Sequence, residues 1–276
     1  MEKLIITVAP TGSVPRKKDT PYVPVTPDEV AETAYRCEQA GASVIHVHCR
    51  DRNENPTSDY QAFKESVEKI RKRTRLIIMV STSGIGAKSD EERAQPLETD
   101  PEMASLTTGS LNFAGRKPSV VYVNTWETIT YLACQMLERN IKPELEAFDM
   151  GFIPQGIRLI KQGLVREPPH FQLVMGVDGG TPASPENLIH MRSQLPHNAT
   201  FVVAGISRWQ LPMTTMAILM GGHVRVGLED NLFLARDKLA RNEELVTQAR
   251  RLAEDLQRQV ATPDEARAIL SLPPRS

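Results

Sequence analysis

The chain has 276 residues, of which 40% are hydrophobic and 24% are charged, a composition typical of one soluble globular domain. Lysine and arginine number 33 against 34 aspartates and glutamates, so the formal net charge of -1 provides no bulk field that would attract nucleic acid or anionic lipid. Aromatic residues make up only 5%, too few for the stacking platforms of single-strand binders, and we expect no nucleic-acid partner.

The N-terminal run and the cysteines indicate the compartment. Residues 4–9 are too short an apolar run for a secretory signal, and no stretch reaches the roughly 18 apolar residues that a membrane span needs. Cys37, Cys49 and Cys134 are odd in number and follow no CxxC pattern, which argues against a disulfide framework or a structural zinc knot. We therefore expect a cytoplasmic protein with no membrane partner.

Short β-branched runs, most of them followed by a segment of helical periodicity, predict strands alternating with helices. The strand candidates lie at residues 4–9, 43–49, 75–81, 102–106, 144–149, 171–177, 200–204 and 223–228. The helix candidates lie at residues 27–40, 59–73, 126–140, 155–162, 185–194, 212–220 and 235–260. Residues 119–124 are interpreted as a loop or an additional strand.

This alternation predicts an α/β fold, a closed (β/α)8 TIM barrel that forms a single domain over residues 1–276, with a long C-terminal helix and a short tail. A Gly-x-Gly-x-x-Gly motif is absent after the first strand, which disfavours a doubly wound dinucleotide-binding sheet. TIM barrels carry their active sites at the carboxyl ends of the strands, so the candidate residues are sought there.

Two of these strand ends carry residues that suit a metal site. His46 and His48 alternate along the second strand and therefore share a face. Arg225 and Glu229 share a face of the last strand, with Glu229 at its carboxyl end. Two histidines and one carboxylate suit a catalytic zinc, with Fe(II) or Mn(II) as lesser options. The alternatives are histidines hydrogen-bonded in the core and an Arg225–Glu229 ion pair that only closes the barrel.

Carboxylates near this site are candidates for proton transfer. Asp230 follows Glu229 directly, and Arg225 can hold it ionised, so Asp230 is the candidate general base. The alternative is an N-cap for a helix that begins near Asn231. Glu144 alternates with Glu146 along the fifth strand, and either carboxylate can face the interior and orient Arg225, or be a satisfied core charge.

Hydroxyl and glycine clusters follow the third and fourth strands, and both suit an anionic group such as a carboxylate. The residues concerned are Ser81, Ser83 and Gly84, and then Thr107 and Thr108. Taken singly, such loops more often only turn the chain.

The loop after the seventh strand lies where TIM barrels often bind phosphate. Ser207 and Arg208 in this loop are candidates to hold a phosphorylated cofactor. The alternative is a surface arginine without a ligand.

Together these motifs resemble the beta-keto acid cleavage enzyme family. The resemblance runs over nearly the whole chain and rests on His46-Val47-His48 with Arg50-Asp51, on residues 81–84 and 105–113, and above all on residues 221–231. It implies a zinc-dependent TIM barrel, with a homotetrameric assembly, that condenses a beta-keto acid with acetyl-CoA to give acetoacetate and a new acyl-CoA.

The resemblance also implies roles for single residues. The match gives zinc ligation to His46, His48 and Glu229, a catalytic dyad to Arg225 and Asp230, the inward glutamate to Glu144, and the substrate-carboxylate contacts to Ser81 with Thr107 or Thr108.

Position 14 departs from the family pattern. Val14 stands where the enzyme of the family's name-giving activity, 3-keto-5-aminohexanoate cleavage, uses a glutamate to hold the substrate ammonium. An uncharged or apolar acyl tail is therefore expected, although Arg16, Lys17 and Lys18 leave an anionic tail open.

Two other functions fit the same residues. One is a divalent-metal barrel aldolase or lyase that cleaves carbon–carbon bonds without CoA. The other is a non-catalytic small-molecule-binding barrel in which His46, His48 and Glu229 only stabilise the core. Acetyl-CoA dependence distinguishes the first alternative, and metal content distinguishes the second.

Overall fold

The structure is a computed structural model that describes residues 2–114 and 119–274. Eight parallel strands form a closed barrel in which each strand pairs with its neighbours in the chain and the last pairs with the first. These strands are β1 (Ile6–Val8), β2 (Val44–Val47), β3 (Ile77–Val80), β4 (Met103–Thr107), β5 (Lys142–Ala147), β6 (His170–Met175), β7 (Thr200–Gly205) and β8 (His223–Val226). The predicted TIM barrel is confirmed.

Helices cover the outside of the barrel, and several begin where the sequence carries capping residues. Thr26 forms a capping box with Glu29, with Pro27 in the first turn, and Ser184 caps the helix that begins at Pro185. The helices are α1 (Pro27–Ala40), α2 (Tyr60–Arg73), α3 (Asp90–Ala94), α4 (Trp126–Glu138), α5 (Phe152–Lys161), α6 (Pro185–Ser193), α7 (Gln210–Leu219), α8 (Asn242–Asp255) and α9 (Pro263–Ile269).

Short elements decorate the loops. Two 3-10 helices lie at Gln95–Thr99 and Ser207–Trp209. Three two-stranded ribbons pair Cys49–Arg50 with Pro56–Thr57, Leu111–Phe113 with Val120–Tyr122, and Phe233–Ala235 with Lys238–Leu239. Residues 119–124 are interpreted from the sequence as a loop or an additional strand, and the structure has a strand there at Val120–Tyr122.

The C-terminal region differs from the single long helix predicted over residues 235–260. Asp237 adopts a positive φ of 61° in the turn of a hairpin, so the helical periodicity there does not continue into a helix. The helix α8 begins only at Asn242, and the chain turns at Gln257, where φ is 57°. The short helix α9 follows, and residues 275–276 of the predicted tail lie outside the described residues.

The interior of the barrel is layered along its axis. Along β2, Ile45 and Val47 join the large apolar cluster beneath the helices, whereas Val44 and His46 are on the opposite face. A smaller apolar cluster fills part of the amino end of the interior, made of Ile5, Val44, Ile77, Met79 and Met103 with Ala261, Ala266 and Leu270. Polar side chains therefore concentrate at the carboxyl ends of the strands.

The C-terminal segment covers the amino end of the barrel. The Ala261 N–H donates to the Leu4 carbonyl at 2.8 Å, and the Ser43 hydroxyl donates to the Ala261 carbonyl. Arg267 of α9 donates to Glu102 at 2.6 Å just before β4. These contacts hold α9 against the strands.

Within the described residues, every helix is too short or too polar to cross a membrane.

Candidate active site

A cavity of about 530 Å³ lies at the carboxyl end of the barrel, where the fold predicts the active site. The predicted site residues that line it are Val14, His46, His48, Ser81, Ser83, Thr107, Ser207, Arg208, Arg225, Glu229 and Asp230. The structure thus brings into one cavity residues that are up to 216 positions apart in the sequence, from Val14 to Asp230.

His46, His48 and Glu229 converge as the sequence predicts. The His48 Nε2 atom lies 3.4 Å from Glu229 Oε1, and the His46 Nε2 atom lies 3.9 Å from Glu229 Oε2. One ligand atom from each residue lies within 4.8 Å of the others. This spacing allows all three atoms to reach a common ion.

The chemistry of these three residues fits a divalent metal. Burial lowers the pKa of His46 well below its ordinary value, so its imidazole is neutral and can ligate. Burial would raise the pKa of Glu229, but Arg225 and the two histidines outweigh it and hold this pKa well below its ordinary value. Glu229 Oε2 is buried without a hydrogen-bond partner among the described residues, a costly arrangement that a bound cation relieves. Zinc prefers such a set of two imidazoles and one carboxylate.

Arg225 connects this triad to Asp230. Its Nε and Nη2 atoms each donate to a separate oxygen of Asp230 at 2.9 Å, and Nη2 also lies 2.7 Å from Glu229 Oε1. The ion pair of Arg225 and Glu229 is therefore present, but as one part of a larger group. Because Asp230 and Glu229 outweigh its burial, the pKa of Arg225 stays well above its ordinary value.

Asp230 is buried beside the cavity and has the properties of a general base. Burial raises its pKa to about 6, with a contribution from Glu229 and against the opposing effect of Arg225. Its backbone carbonyl accepts a hydrogen bond from the Ser207 N–H at 2.6 Å, which fixes the loop. The alternative of an N-cap near Asn231 is wrong, because the next helix begins at Asn242 with Arg241 as its N-cap.

The two interior glutamates occupy different depths. Glu146 lines the cavity, accepts a hydrogen bond from the Thr107 hydroxyl at 2.5 Å and lies 3.9 Å from Arg225 Nη1. Glu144 lies outside the cavity lining and contacts His170 Nε2 at 3.1 Å. Burial raises the pKa of each glutamate to about 7, although Arg225 opposes it. The sequence predicts Glu144 as the inward glutamate, whereas the cavity wall contains Glu146.

Gln172 links the deeper glutamate to the site and was not predicted. Its Nε2 donates to Glu144 Oε1 at 2.6 Å, and its Oε1 accepts from Arg225 Nη1 at 3.4 Å. Gln172 of β6 pairs with Glu146 of β5. Its place in this strand is the feature of the sequence that could have identified it as an interior residue.

The hydroxyl clusters divide between the cavity and its wall. Ser81 accepts from the Ser83 N–H at 3.1 Å, and both residues line the cavity together with Thr107. Thr108 lies behind the wall, where its hydroxyl donates to the Phe152 carbonyl at 3.0 Å. Gly84 packs near Arg93 and does not contribute to the lining. Of the predicted anion-binding hydroxyls, those of Ser81, Ser83 and Thr107 face the cavity.

The basic residues of the first loop do not reach the cavity. Arg16 donates to the Glu54 carbonyl at 2.8 Å, and Lys17 Nζ pairs with Glu29 at 2.7 Å. Lys18 is exposed and outside the lining. Val14, in contrast, lines the cavity and is 56% exposed.

Aromatic residues form a wall that was not predicted from the sequence. Phe113 and Tyr122 come from the ribbon after β4 and stack with centroids 5.8 Å apart. The Cζ atom of the Arg208 guanidinium lies 4.8 Å from the centroid of the Trp209 ring. Ser207 and Arg208 both line this side, and Ser207 has a positive φ of 56°.

Comparison with known proteins identifies relatives over the full length. The family model described as beta-keto acid cleavage enzyme matches residues 3–272. The chain is 46% identical over 274 residues to a 3-keto-5-aminohexanoate cleavage enzyme of Fusobacterium nucleatum, covering 99% of both chains. It is 41% identical over 273 residues to a 3-oxoadipate:acetyl-CoA acetyltransferase of Cupriavidus necator, covering 98% of this chain and 95% of that protein.

A solved structure has a similar fold. The apo structure of ObcA superposes with a TM-score of 0.78 over 91% of this chain and 66% of the ObcA chain, at 21% sequence identity. The chain thus spans about two thirds of the ObcA length. At this identity the likeness establishes the TIM barrel and no more.

Proposed function

The chain belongs to the beta-keto acid cleavage enzyme family, and from that premise we propose that it exchanges acyl groups between a beta-keto acid and acetyl-CoA. The products are acetoacetate and a new acyl-CoA, so the atoms balance without a redox cofactor. Relatives named for an acetyl-CoA acetyltransferase and for a 3,5-dioxohexanoate:acetyl-CoA acetone transferase support acetyl-CoA as the co-substrate.

One observation carries this proposal: the carboxylate of Asp230 is held by two hydrogen bonds from Arg225, which also contacts Glu229. A base in this position can take a proton from the carbon between the keto group and the carboxylate of the substrate. With a pKa near 6, Asp230 is largely ionised at neutral pH, yet it is basic enough to accept that proton. The fixed guanidinium keeps the carboxylate oriented before and after transfer.

His46, His48 and Glu229 would hold a zinc ion beside this base. Bound there, zinc would supply Lewis-acid polarisation of a substrate carbonyl and so acidify the neighbouring carbon. The three residues themselves contribute two imidazoles and a carboxylate that Arg225 keeps ionised.

The carbanion formed by proton loss attacks the thioester carbon of acetyl-CoA. The C–S bond of the thioester breaks, and the released CoA thiolate attacks the original keto carbon of the substrate. Retro-Claisen cleavage of the adjacent carbon–carbon bond then gives the new acyl-CoA and the carbanion of acetoacetate, which takes back the proton held by Asp230. Arg225 and Glu146 flank the cavity in which these charges develop.

The other lining residues fit substrate binding. The Ser81 hydroxyl, which accepts from Ser83, can still donate to the substrate carboxylate, whereas the Thr107 hydroxyl donates to Glu146. Ser207 and Arg208 lie on the side that we assign to the phosphates of CoA. Because Arg16 and Lys17 are engaged elsewhere and Val14 lines the cavity, the acyl tail is uncharged.

The decisive experiment incubates purified enzyme with acetyl-CoA and a panel of beta-keto acids, and follows acetoacetate and acyl-CoA by mass spectrometry. Elemental analysis of the same preparation should give about one zinc per chain. Cleavage that proceeds without CoA would instead indicate a metal-dependent aldolase. No turnover together with no transition metal would indicate a binding protein. The proposed cytoplasmic, homotetrameric, single-domain enzyme is tested by size-exclusion chromatography with light scattering and by fractionation.

A further inference from the structure

The two histidines of the triad differ in what holds the ring nitrogen that faces away from Glu229. The Nδ1 atom of His48 lies 3.3 Å from the hydroxyl oxygen of Ser13. The Nδ1 atom of His46 is buried and has no hydrogen-bond partner among the described residues. Only one of the two rings is therefore fixed by a neighbouring side chain on that side.

Ser13 provides the hydrogen-bond acceptor that His48 needs when it binds a metal through Nε2. The Nε2 atom of His48 faces Glu229 Oε1, so ligation through Nε2 requires the proton to be on Nδ1. An Nδ1–H needs an acceptor, and the Ser13 oxygen lies within reach. A hydroxyl can also donate, so the same side chain pairs with either tautomer of the ring.

The backbone keeps Ser13 in this position. Gly12 has a positive φ of 61°, and a side chain there would place its Cβ 2.3 Å from Glu229 Cγ, so the loop packs directly on the third residue of the triad. On the other side, Arg50 Nη2 donates to the Pro15 carbonyl at 3.0 Å. The hydroxyl is thus presented by an anchored segment.

We propose that Ser13 is a positioning residue that fixes the ring orientation of His48 by accepting from its Nδ1–H, and thereby sets the affinity of the triad for zinc. The inference rests on the proposed function, which places zinc at this triad. Hydrogen-bond partners of metal-bound histidines typically change metal affinity by about 10- to 100-fold when removed. A loss in that range is expected here, because no other side chain among the described residues hydrogen-bonds His48 Nδ1.

The test measures zinc affinity directly by chelator competition, in Ser13→Ala, Ser13→Thr and Lys18→Ala proteins. Ser13→Ala should bind zinc about 10- to 100-fold more weakly than wild type. Ser13→Thr keeps the hydroxyl and should remain within a few-fold of wild type. Lys18→Ala changes an exposed residue of the same loop that lies outside the cavity lining, and should leave zinc affinity unchanged. Circular dichroism verifies that each variant is folded.

The outcomes separate this inference from the function on which it rests. If wild type binds zinc tightly and Ser13→Ala binds it equally well, the role of Ser13 is refuted while the metal site stands. If Ser13→Ala and Ser13→Thr weaken binding alike, packing of the loop matters rather than the hydrogen bond, and the proposal fails. If wild type itself does not bind zinc, the metal site of the proposed function fails, and this proposal fails with it.

Discussion

Replacing Glu144 by glutamine should change how the stability of the protein depends on pH. The carboxyl of Glu144 is completely enclosed near the barrel axis, between Gln172 and His170. Burial raises its pKa to about 7 from an ordinary 4.5. Glutamine resembles the protonated carboxyl in shape but cannot ionise.

The direction and size of the effect follow from this pKa. The folded protein binds a proton at Glu144 more tightly than the unfolded chain does, so the stabilisation is complete below pH 4.5 and is lost as the pH rises through 7. The difference between the two pKa values corresponds to about 3.5 kcal/mol, at about 1.4 kcal/mol for each unit. Wild type should lose about 2.5 kcal/mol of this between pH 5 and pH 8.5, because the carboxyl of the unfolded chain is already mostly ionised at pH 5, and Glu144→Gln should not lose it.

Urea unfolding of both proteins at pH 5 and pH 8.5, in the presence of a chelator, measures the effect. The other ionisable groups are the same in both proteins, so the free energy of unfolding of the variant minus that of wild type isolates Glu144. This difference should shift in favour of Glu144→Gln by about 2.5 kcal/mol at the higher pH. Glu68→Gln, an exposed glutamate on α2, provides the control and should produce no such shift. An equal difference at both pH values would show that the Glu144 carboxyl ionises as in solution, and would refute the reasoning.

Three further predictions concern the cavity. His48→Ala should remove both bound zinc and turnover, and an active variant measured by elemental analysis and acyl-CoA formation would contradict the ligand assignment. Asp230→Asn keeps the size of the side chain but removes the base, so kcat should fall by about 100-fold or more while zinc content is retained; wild-type turnover would rule out a catalytic role. Val14→Glu places a carboxylate in the lining and should shift kcat/KM toward 3-keto-5-aminohexanoate, whereas a wild-type preference for that aminated acid in competition assays would mean that another acid supplies the charge.

Much of the site was predictable because strand geometry is simple. A period of two places His46 and His48 on one face, and the TIM barrel places that face and Glu229 at the same end of the axis. The ion pair of Arg225 with Asp230 follows from the same placement of β8 and its loop. These predictions needed only alternation and chain order.

Alternation along a strand does not predict how far along the barrel axis an interior side chain lies. Glu144 and Glu146 have the same parity, and which one reaches the cavity depends on the stagger between strands, which alternation does not encode. In the structure Glu146 is in register with Thr107 and Gln172, whereas Glu144 is in register with Ser105 and His170, one layer lower. The hairpin of Phe233–Ala235 with Lys238–Leu239 was also not predicted, because the sequence from residue 235 onward predicts one helix.

The C-terminal segment that covers the amino end of the barrel affects the order in which the two substrates bind. Among the described residues, the bonds of Ala261 with Leu4 and of Arg267 with Glu102 cover that end, so both reactants use the carboxyl end. Acetyl-CoA is much larger than a keto acid, and once seated it would block the passage to Asp230. We therefore expect compulsory-order kinetics, with the keto acid entering first and acetoacetate leaving last. An unreactive CoA analogue should then inhibit uncompetitively with respect to the keto acid, whereas a noncompetitive pattern would mean that acetyl-CoA can also bind first.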